Sequence, residues 1–154
     1  MPPRRSVYLV DTDVISELRK KNKTNRRVAA FFNDAATRDV PLYLAAVTIG
    51  ELRRGVELIR YRGDTRQAQL LERWLDGLLA EYGENVLPFD ADAAQVWGRL
   101  RVPHPENPLD KQIAATALLY GLVVVTCNVK HFSSTGVRIL DPFSYRPLRS
   151  SVSG

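Results

Sequence analysis

The sequence turns from strand to helix within residues 7–18, which read Val7-Tyr8-Leu9-Val10-Asp11-Thr12-Asp13-Val14-Ile15-Ser16-Glu17-Leu18. The four apolar residues predict a short buried strand. The Asp-Thr-Asp directly after them predicts the start of a helix, with Thr12 or Asp13 as its cap. A strand that leads straight into a helix is the repeating unit of α/β proteins.

The same unit recurs further along the chain. Residues 42–47 predict a second strand, and Thr48-Ile49-Gly50-Glu51 has the form of a capping box that opens a helix over residues 52–59. Apolar residues at helical spacing predict an amphipathic helix from Arg66 to Tyr82. Because the apolar runs are continuous and alternate with helices, we predict an α/β fold with a central, mainly parallel sheet covered on both faces. The remaining predicted elements are strands at 86–89, 122–127 and 137–140 and helices at 90–100 and 109–120.

The composition is that of one globular domain. The chain has 154 residues, 45% of them hydrophobic and 25% charged, which excludes disordered and low-complexity classes. We expect a single domain over residues 1–154, with its core at about 7–142 and a frayed tail at 149–154. The single cysteine, Cys127, excludes an internal disulfide, so we expect a cytoplasmic protein. No apolar run is long enough to predict a membrane span.

Positive charge is concentrated at the start of the chain. The formal net charge is +5, and residues 1–30 alone hold eight Lys and Arg against three acidic residues. Such a cluster is typical of proteins that bind a polyanion, because neutralised phosphates release counterions. The alternative is the solvated end of a short helix. The candidate RNA-binding residues are Arg19, Lys20, Lys21 and Lys23.

Acidic and amide side chains follow the predicted strands. Asp11 and Asp13 come directly after the first strand, Glu51 lies a few residues beyond the second, and Asn128 follows the strand at 122–127. Asp110 opens the helix that leads into that strand. Because such positions share one edge of a parallel sheet, we expect these side chains to line one crevice. Clustered carboxylates repel one another unless a cation neutralises them, so the pattern predicts a Mg²⁺ or Mn²⁺ site.

Each of these residues also has a simpler interpretation. Asp11 or Asp13 could cap the first helix, Glu51 could pair with Thr48 in the capping box, and Asp110 could complement a helix dipole. Convergence on one sheet edge favours the site. A nucleophilic pair of Cys127 and His131 is disfavoured, because Cys127 ends a predicted buried strand. We interpret His104, which lies between two prolines, as a loop residue.

Four blocks of the sequence resemble the PIN-domain family, in particular the VapC-like and FitB-like toxins of type II toxin–antitoxin pairs. The resemblance spans about residues 7–142. It implies a three-layer α/β/α fold and Mg²⁺- or Mn²⁺-dependent cleavage of RNA. The blocks are residues 9–18, Thr48-Ile49-Gly50-Glu51-Leu52 with Gly55, Pro108-Leu109-Asp110 with residues 113–117, and residues 125–132.

The resemblance also implies roles for single residues. It places metal-binding catalytic carboxylates at Asp11, Glu51 and Asp110, with Asn128 as a further catalytic candidate where many relatives carry an acidic residue. That departure leaves open whether one or two metal ions act and whether Asn128 or His131 completes the site. The residues implied to support the metal site indirectly are Thr12 and Thr126.

The resemblance further implies a homodimer, an antitoxin partner and contact with DNA through the antitoxin alone. The helix at 66–82 has more apolar positions than one core-facing stripe needs, so we expect part of it to meet a second copy or an antitoxin helix. Two other functions stay open. Asp11 and Asp13 also resemble the nucleophile motif of haloacid-dehalogenase-like phosphatases, with Asp11 attacking phosphate. Alternatively, the chain could be a non-catalytic partner in a DNA-bound complex.

Overall fold

Five short strands form one sheet in which every neighbouring pair is parallel. The computed structural model describes residues 6–147. The strand order is β3-β2-β1-β4-β5, so β1 is central and pairs with β2 on one side and β4 on the other. The strands are β1 Tyr8–Val10, β2 Leu42–Ala45, β3 Val86–Leu87, β4 Val123–Val125 and β5 Ile139–Leu140.

Helices cover both faces of this sheet. Val10 and Val125 face a core built with α1 to α4, whereas the adjacent residues Leu9 and Val124 face a second core built with α5 to α7. Both sets of strand residues are fully buried, which explains their continuous apolar runs. The predicted three-layer α/β/α fold is therefore confirmed. The helices are α1 Thr12–Glu17, α2 Arg26–Thr37, α3 Ala46–Tyr61, α4 Thr65–Tyr82, α5 Ala91–Leu100, α6 Pro108–Tyr120 and α7 Val129–Phe132, with a 3₁₀ helix at Leu18–Lys23.

The predicted capping box at Thr48 is wrong. Helix α3 begins at Ala46, so Thr48 lies inside its first turn and Glu51 in its second. Thr48 is fully buried, and its hydroxyl accepts a hydrogen bond from the Thr12 hydroxyl at 3.1 Å. Thr48 therefore links α3 to α1 and does not cap α3.

Two further features differ from the prediction. The cap of α1 is Asp11, which was one of the alternatives, and not Thr12 or Asp13, since the Asp11 carboxylate accepts the N–H of Thr12. Helix α2, which buries Val28 and Phe31, was not predicted.

Helix α6 begins with Pro108 and ends at Gly121, whose φ of 70° suits glycine. The predicted frayed tail at 149–154 lies outside the described residues, and within 6–147 no helix is long and apolar enough to cross a membrane.

Candidate metal-dependent active site

The acidic residues singled out in the sequence lie together at the carboxyl edge of the sheet. They line a cavity of about 290 Å³ between β1, α3, α6 and the segment after β4. Asp13, which the sequence interpretation left outside the metal set, is also part of this lining. The convergence predicted for this edge of the sheet is thus observed. The polar lining residues are Asp11, Thr12, Asp13, Glu51, Asp110 and Asn128.

Asp11 is the most buried carboxylate of the cavity, with 2% of its surface exposed. One oxygen accepts the backbone N–H of Thr12 at 2.7 Å, and the other accepts the hydroxyl of Thr126 at 2.8 Å. Burial, together with the nearby charge of Asp13, raises the pKa of Asp11 to about 7 in spite of these two bonds. None of the groups that shift this pKa is a cation, so the negative charge of an ionised Asp11 is not neutralised by a neighbouring side chain.

The two threonines predicted to support the site have different roles. The Thr126 hydroxyl donates to Asp11 and accepts the N–H of Asn128 at 3.0 Å, so it links β4 and the following turn to the carboxylate. Thr12 contacts Asp11 through its backbone, while its hydroxyl reaches Thr48. Thr126 thus supports the site through its side chain, and Thr12 supports it through its backbone N–H.

Asp110 lies in the first turn of α6 and is held by a histidine. Nδ1 of His131, on α7, lies 2.6 Å from Oδ2 of Asp110. The two residues are 21 positions apart, so no helical or strand spacing predicts this contact. Asn128, predicted as a catalytic residue, is exposed and lines the cavity at the start of α7. His131 therefore holds Asp110, and Asn128 lies at the exposed rim of the cavity.

Cys127 is exposed, contrary to the buried position predicted for it. Its thiol and its backbone N–H both donate to Oδ2 of Asp13, the N–H at 3.1 Å. Partial burial of the sulfur and the adjacent Asp13 carboxylate raise the pKa of Cys127 to about 12. Since His131 contacts Asp110 instead, the disfavoured pairing of Cys127 with His131 is not formed.

The cavity brings four carboxylates together, but they do not form a complete ligand set. Within residues 6–147, no three His, Cys, Asp or Glu side chains are arranged to hold an ion. Asp110 is in contact with His131. The chemistry of these residues fits a hard cation, because the donor atoms are carboxylate oxygens. In addition, the buried Oδ1 of Asp13 has no hydrogen-bond partner among the described residues.

The predicted RNA-binding residues lie beside this cavity in the 3₁₀ helix Leu18–Lys23. All four basic side chains of that segment are exposed. Lys20 forms an ion pair with Glu17 at 2.8 Å, so its charge is partly used within the chain. Arg19 lies over the ring of Trp74 on α4, 5.9 Å from the ring centroid. These contacts leave both interpretations of the basic cluster, an RNA-binding surface and a solvated helix end, as predictions.

Comparison with known proteins identifies the family. The model of the PIN domain matches residues 8–137, which include strands β1 to β4 and every carboxylate of the cavity. The chain belongs to the PIN-domain family. It is 33% identical to toxin FitB of Neisseria gonorrhoeae, over 89% of this chain and 99% of FitB. It is 32% identical to the VapC ribonuclease Y4jK of Sinorhizobium fredii, over 89% of this chain and 98% of that protein.

Solved structures of PIN-domain proteins have the same fold as this chain. The crystal structure of FitAcB from Neisseria gonorrhoeae matches with a TM-score of 0.77 at 30% identity, covering 90% of this chain and 99% of the other. DNA-bound VapBC from Salmonella typhimurium matches with a TM-score of 0.72 at 25% identity, again covering 90% and 99%. Both similarities extend over nearly the whole PIN domain.

The site argues against the phosphatase alternative. That mechanism needs a lysine and a further acidic pair beside Asp11 and Asp13. The described residues that line the cavity include no lysine, and Thr126-Cys127-Asn128 stands where the acidic pair would follow β4.

Proposed function

We propose that this PIN-domain protein is a divalent-metal-dependent endoribonuclease that acts as the toxin of a toxin–antitoxin pair. The observation that carries the proposal is the convergence of four carboxylates on one cavity, with Asp11 almost fully buried among them. Such a group is costly to ionise without a cation. The similarity to a VapC ribonuclease and to toxin FitB supports RNA as the substrate and toxicity as the role.

Asp11, Glu51 and Asp110 are the residues that would hold Mg²⁺ or Mn²⁺. Thr126 holds one oxygen of Asp11, and His131 fixes the orientation of Asp110, so two of the three carboxylates are positioned by neighbours. When bound, the cation makes a water molecule more acidic and offsets negative charge on the phosphate. The exposed amide of Asn128 can donate a hydrogen bond to a phosphate oxygen of the RNA.

The partners follow from the relatives and from the surface. FitB and VapC relatives are found in complexes with FitA or VapB, one of them on DNA, so we propose an antitoxin partner and only indirect contact with DNA. The core-facing positions of α4 are buried within this chain, which leaves only Leu70 and Leu79 of its leucines exposed. Helix α6 presents Leu118, Leu119 and Tyr120, each 38–44% exposed, and we propose that a homodimer in the cytoplasm covers them.

The test of the proposed function is RNA cleavage by the purified chain. We expect cleavage of single-stranded or structured RNA with millimolar Mg²⁺ or Mn²⁺ and its complete loss in excess EDTA, because the clustered carboxylates are inert without a cation. An Asp11→Ala protein purified in parallel controls for contaminating nuclease. Cleavage that persists in EDTA would contradict the proposal, and the absence of any cleavage with metal would favour the non-catalytic partner in a DNA-bound complex.

A further inference from the structure

A groove of about 430 Å³ lies beside the catalytic cavity, between the 3₁₀ helix Leu18–Lys23 and α4. One wall carries Arg19, Lys20 and Lys21, and the other carries Leu70 and Trp74. We call it the Trp74 groove. It combines positive charge with an aromatic ring, which is the surface that single-stranded nucleic acids bind through phosphate contacts and base stacking.

The charge of the groove is available for a ligand. Its two carboxylates are Asp13 and Glu17, and Glu17 is already occupied by Lys20 at 2.8 Å and by the N–H of Asn25 at 3.0 Å. Within residues 6–147, no ion pair to a carboxylate is formed by Arg19 or Lys21. Arg19 and Lys21 are therefore available to form ion pairs with a bound polyanion.

The aromatic wall offers a flat apolar platform. Trp74 is half-buried, and the neighbouring Leu70, one turn earlier on α4, is 51% exposed. The Arg19 guanidinium lies 5.9 Å from the centre of the Trp74 ring. A base that stacks on Trp74 would displace the Arg19 guanidinium from the ring, and the displaced cation would stay in the groove, where it can bind a phosphate.

The groove adjoins the carboxylate cavity, because Asp13 lines both. We propose that the Trp74 groove binds the single-stranded RNA segment next to the cleaved bond, with one base stacked on Trp74 and phosphates on Arg19 and Lys21. This proposal rests on the proposed ribonuclease function. It assigns a substrate-positioning role to Trp74, which touches a base and not the reacting phosphate.

The first test compares cleavage kinetics. Because stacking on an aromatic side chain is lost in Trp74→Ala, we expect KM for a single-stranded RNA oligonucleotide to rise about 5- to 100-fold with little change in kcat. Trp74→Phe, which keeps a stacking ring, should restore KM to within a few fold of wild type. A Trp74→Ala protein that is folded and cleaves with wild-type KM would overturn the proposal while leaving the ribonuclease function in place.

The second test needs neither activity nor a stable Trp74→Ala protein. The chain has two tryptophans, so Trp97→Phe leaves Trp74 as the only tryptophan reporter. In EDTA, oligouridylate should quench the fluorescence of Trp74, and added salt should reverse the quenching. Trp74→Phe, which leaves Trp97, is the matched control and should show no quenching.

The outcomes of the fluorescence test separate the two proposals. Quenching of Trp74 by RNA in a protein that cleaves no RNA would support RNA binding in the Trp74 groove and contradict the ribonuclease function. Equal fluorescence with and without oligouridylate would contradict RNA binding in the groove. Stronger quenching by an oligoglutamate peptide than by RNA would also overturn it, because the groove would then be a site for an acidic protein segment.

Discussion

Replacing Asp11 by Asn is expected to abolish RNA cleavage and, at pH 8 without metal, to make the protein more stable than wild type. The two effects have one cause. The carboxylate of Asp11 is buried beside Asp13, so its negative charge is useful only when a cation shares the cavity. We expect cleavage to fall by at least about 100-fold, since even residues that merely support metal ligands commonly contribute 10- to 100-fold.

The stability effect has a defined pH window. Burial and the nearby Asp13 raise the pKa of Asp11 from 3.8 to about 7, so the folded state binds its proton more tightly than the unfolded state does. The resulting stabilisation is fully present below pH 3.8 and is lost as the pH rises toward 7. At pH 8 the free energy of unfolding of the wild type is lower by up to about 4 kcal/mol because Asp11 is ionised. The Asp11→Asn protein does not have this loss, because Asn stays uncharged.

The measurement is the difference in the free energy of unfolding between wild type and Asp11→Asn from pH 5 to pH 8 in EDTA. Taking the difference cancels the other carboxylates that titrate in this range. Asp90→Asn is the matched control, because Asp90 caps α5 as Asp11 caps α1 but lies outside the cavity. A variant that is less stable than wild type at pH 8, or that still cleaves RNA, would remove Asp11 from the proposed role.

Replacing Asp110 by Asn is expected to collapse cleavage while changing stability little. As a helix-dipole partner alone, Asp110 would contribute about 0.3–1 kcal/mol to stability and nothing to activity. In the metal-free protein Asp110 repels Asp11, so its neutralisation offsets the lost dipole interaction and the weakened contact with His131. We expect cleavage to fall by at least about 100-fold, with millimolar Mg²⁺ or Mn²⁺ no longer raising the melting temperature.

Thermal melting with and without metal, together with the RNA cleavage assay, distinguishes the two roles. Asp92→Asn is the matched control, since Asp92 lies in the first turn of α5 and away from the cavity. It should lose a little stability and keep full activity. If Asp110→Asn behaves like this control, Asp110 serves the helix dipole alone.

The sequence was sufficient to predict the α/β fold because the decisive signals are local. The apolar residues of β1 and β4 are buried on both faces of the sheet, so these strands appear as uninterrupted runs. Helix α2 was not predicted although Asn25 caps it, because only Val28, Phe31 and Ala35 of this helix are buried and the sequence before them is rich in basic residues. The local signal for this helix is Asn25 followed by apolar residues at helical spacing.

The positions of the carboxylates that line the cavity were predictable, whereas their contacts were not. Parallel topology brings the ends of β1 and β4 to one edge, which is why Asp11 and Asn128 could be placed in one crevice. The contacts between Asp110 and His131 and between Asp13 and Cys127 depend on packing between distant segments. The start of α3 was misplaced for the same reason, since Thr48 contacts Thr12 instead of capping its own helix.

We propose that these carboxylates together bind a divalent cation, and calorimetric titration with Mn²⁺ at pH 7.5 measures that binding. We expect wild type to bind Mn²⁺ and Glu51→Gln to bind at least about tenfold more weakly. Glu57→Gln is the matched control on the same helix, because Glu57 forms surface ion pairs with Arg53 and Arg60. A wild type that binds no Mn²⁺ at millimolar concentration, or a Glu51→Gln protein that binds as tightly as wild type, would contradict the claim.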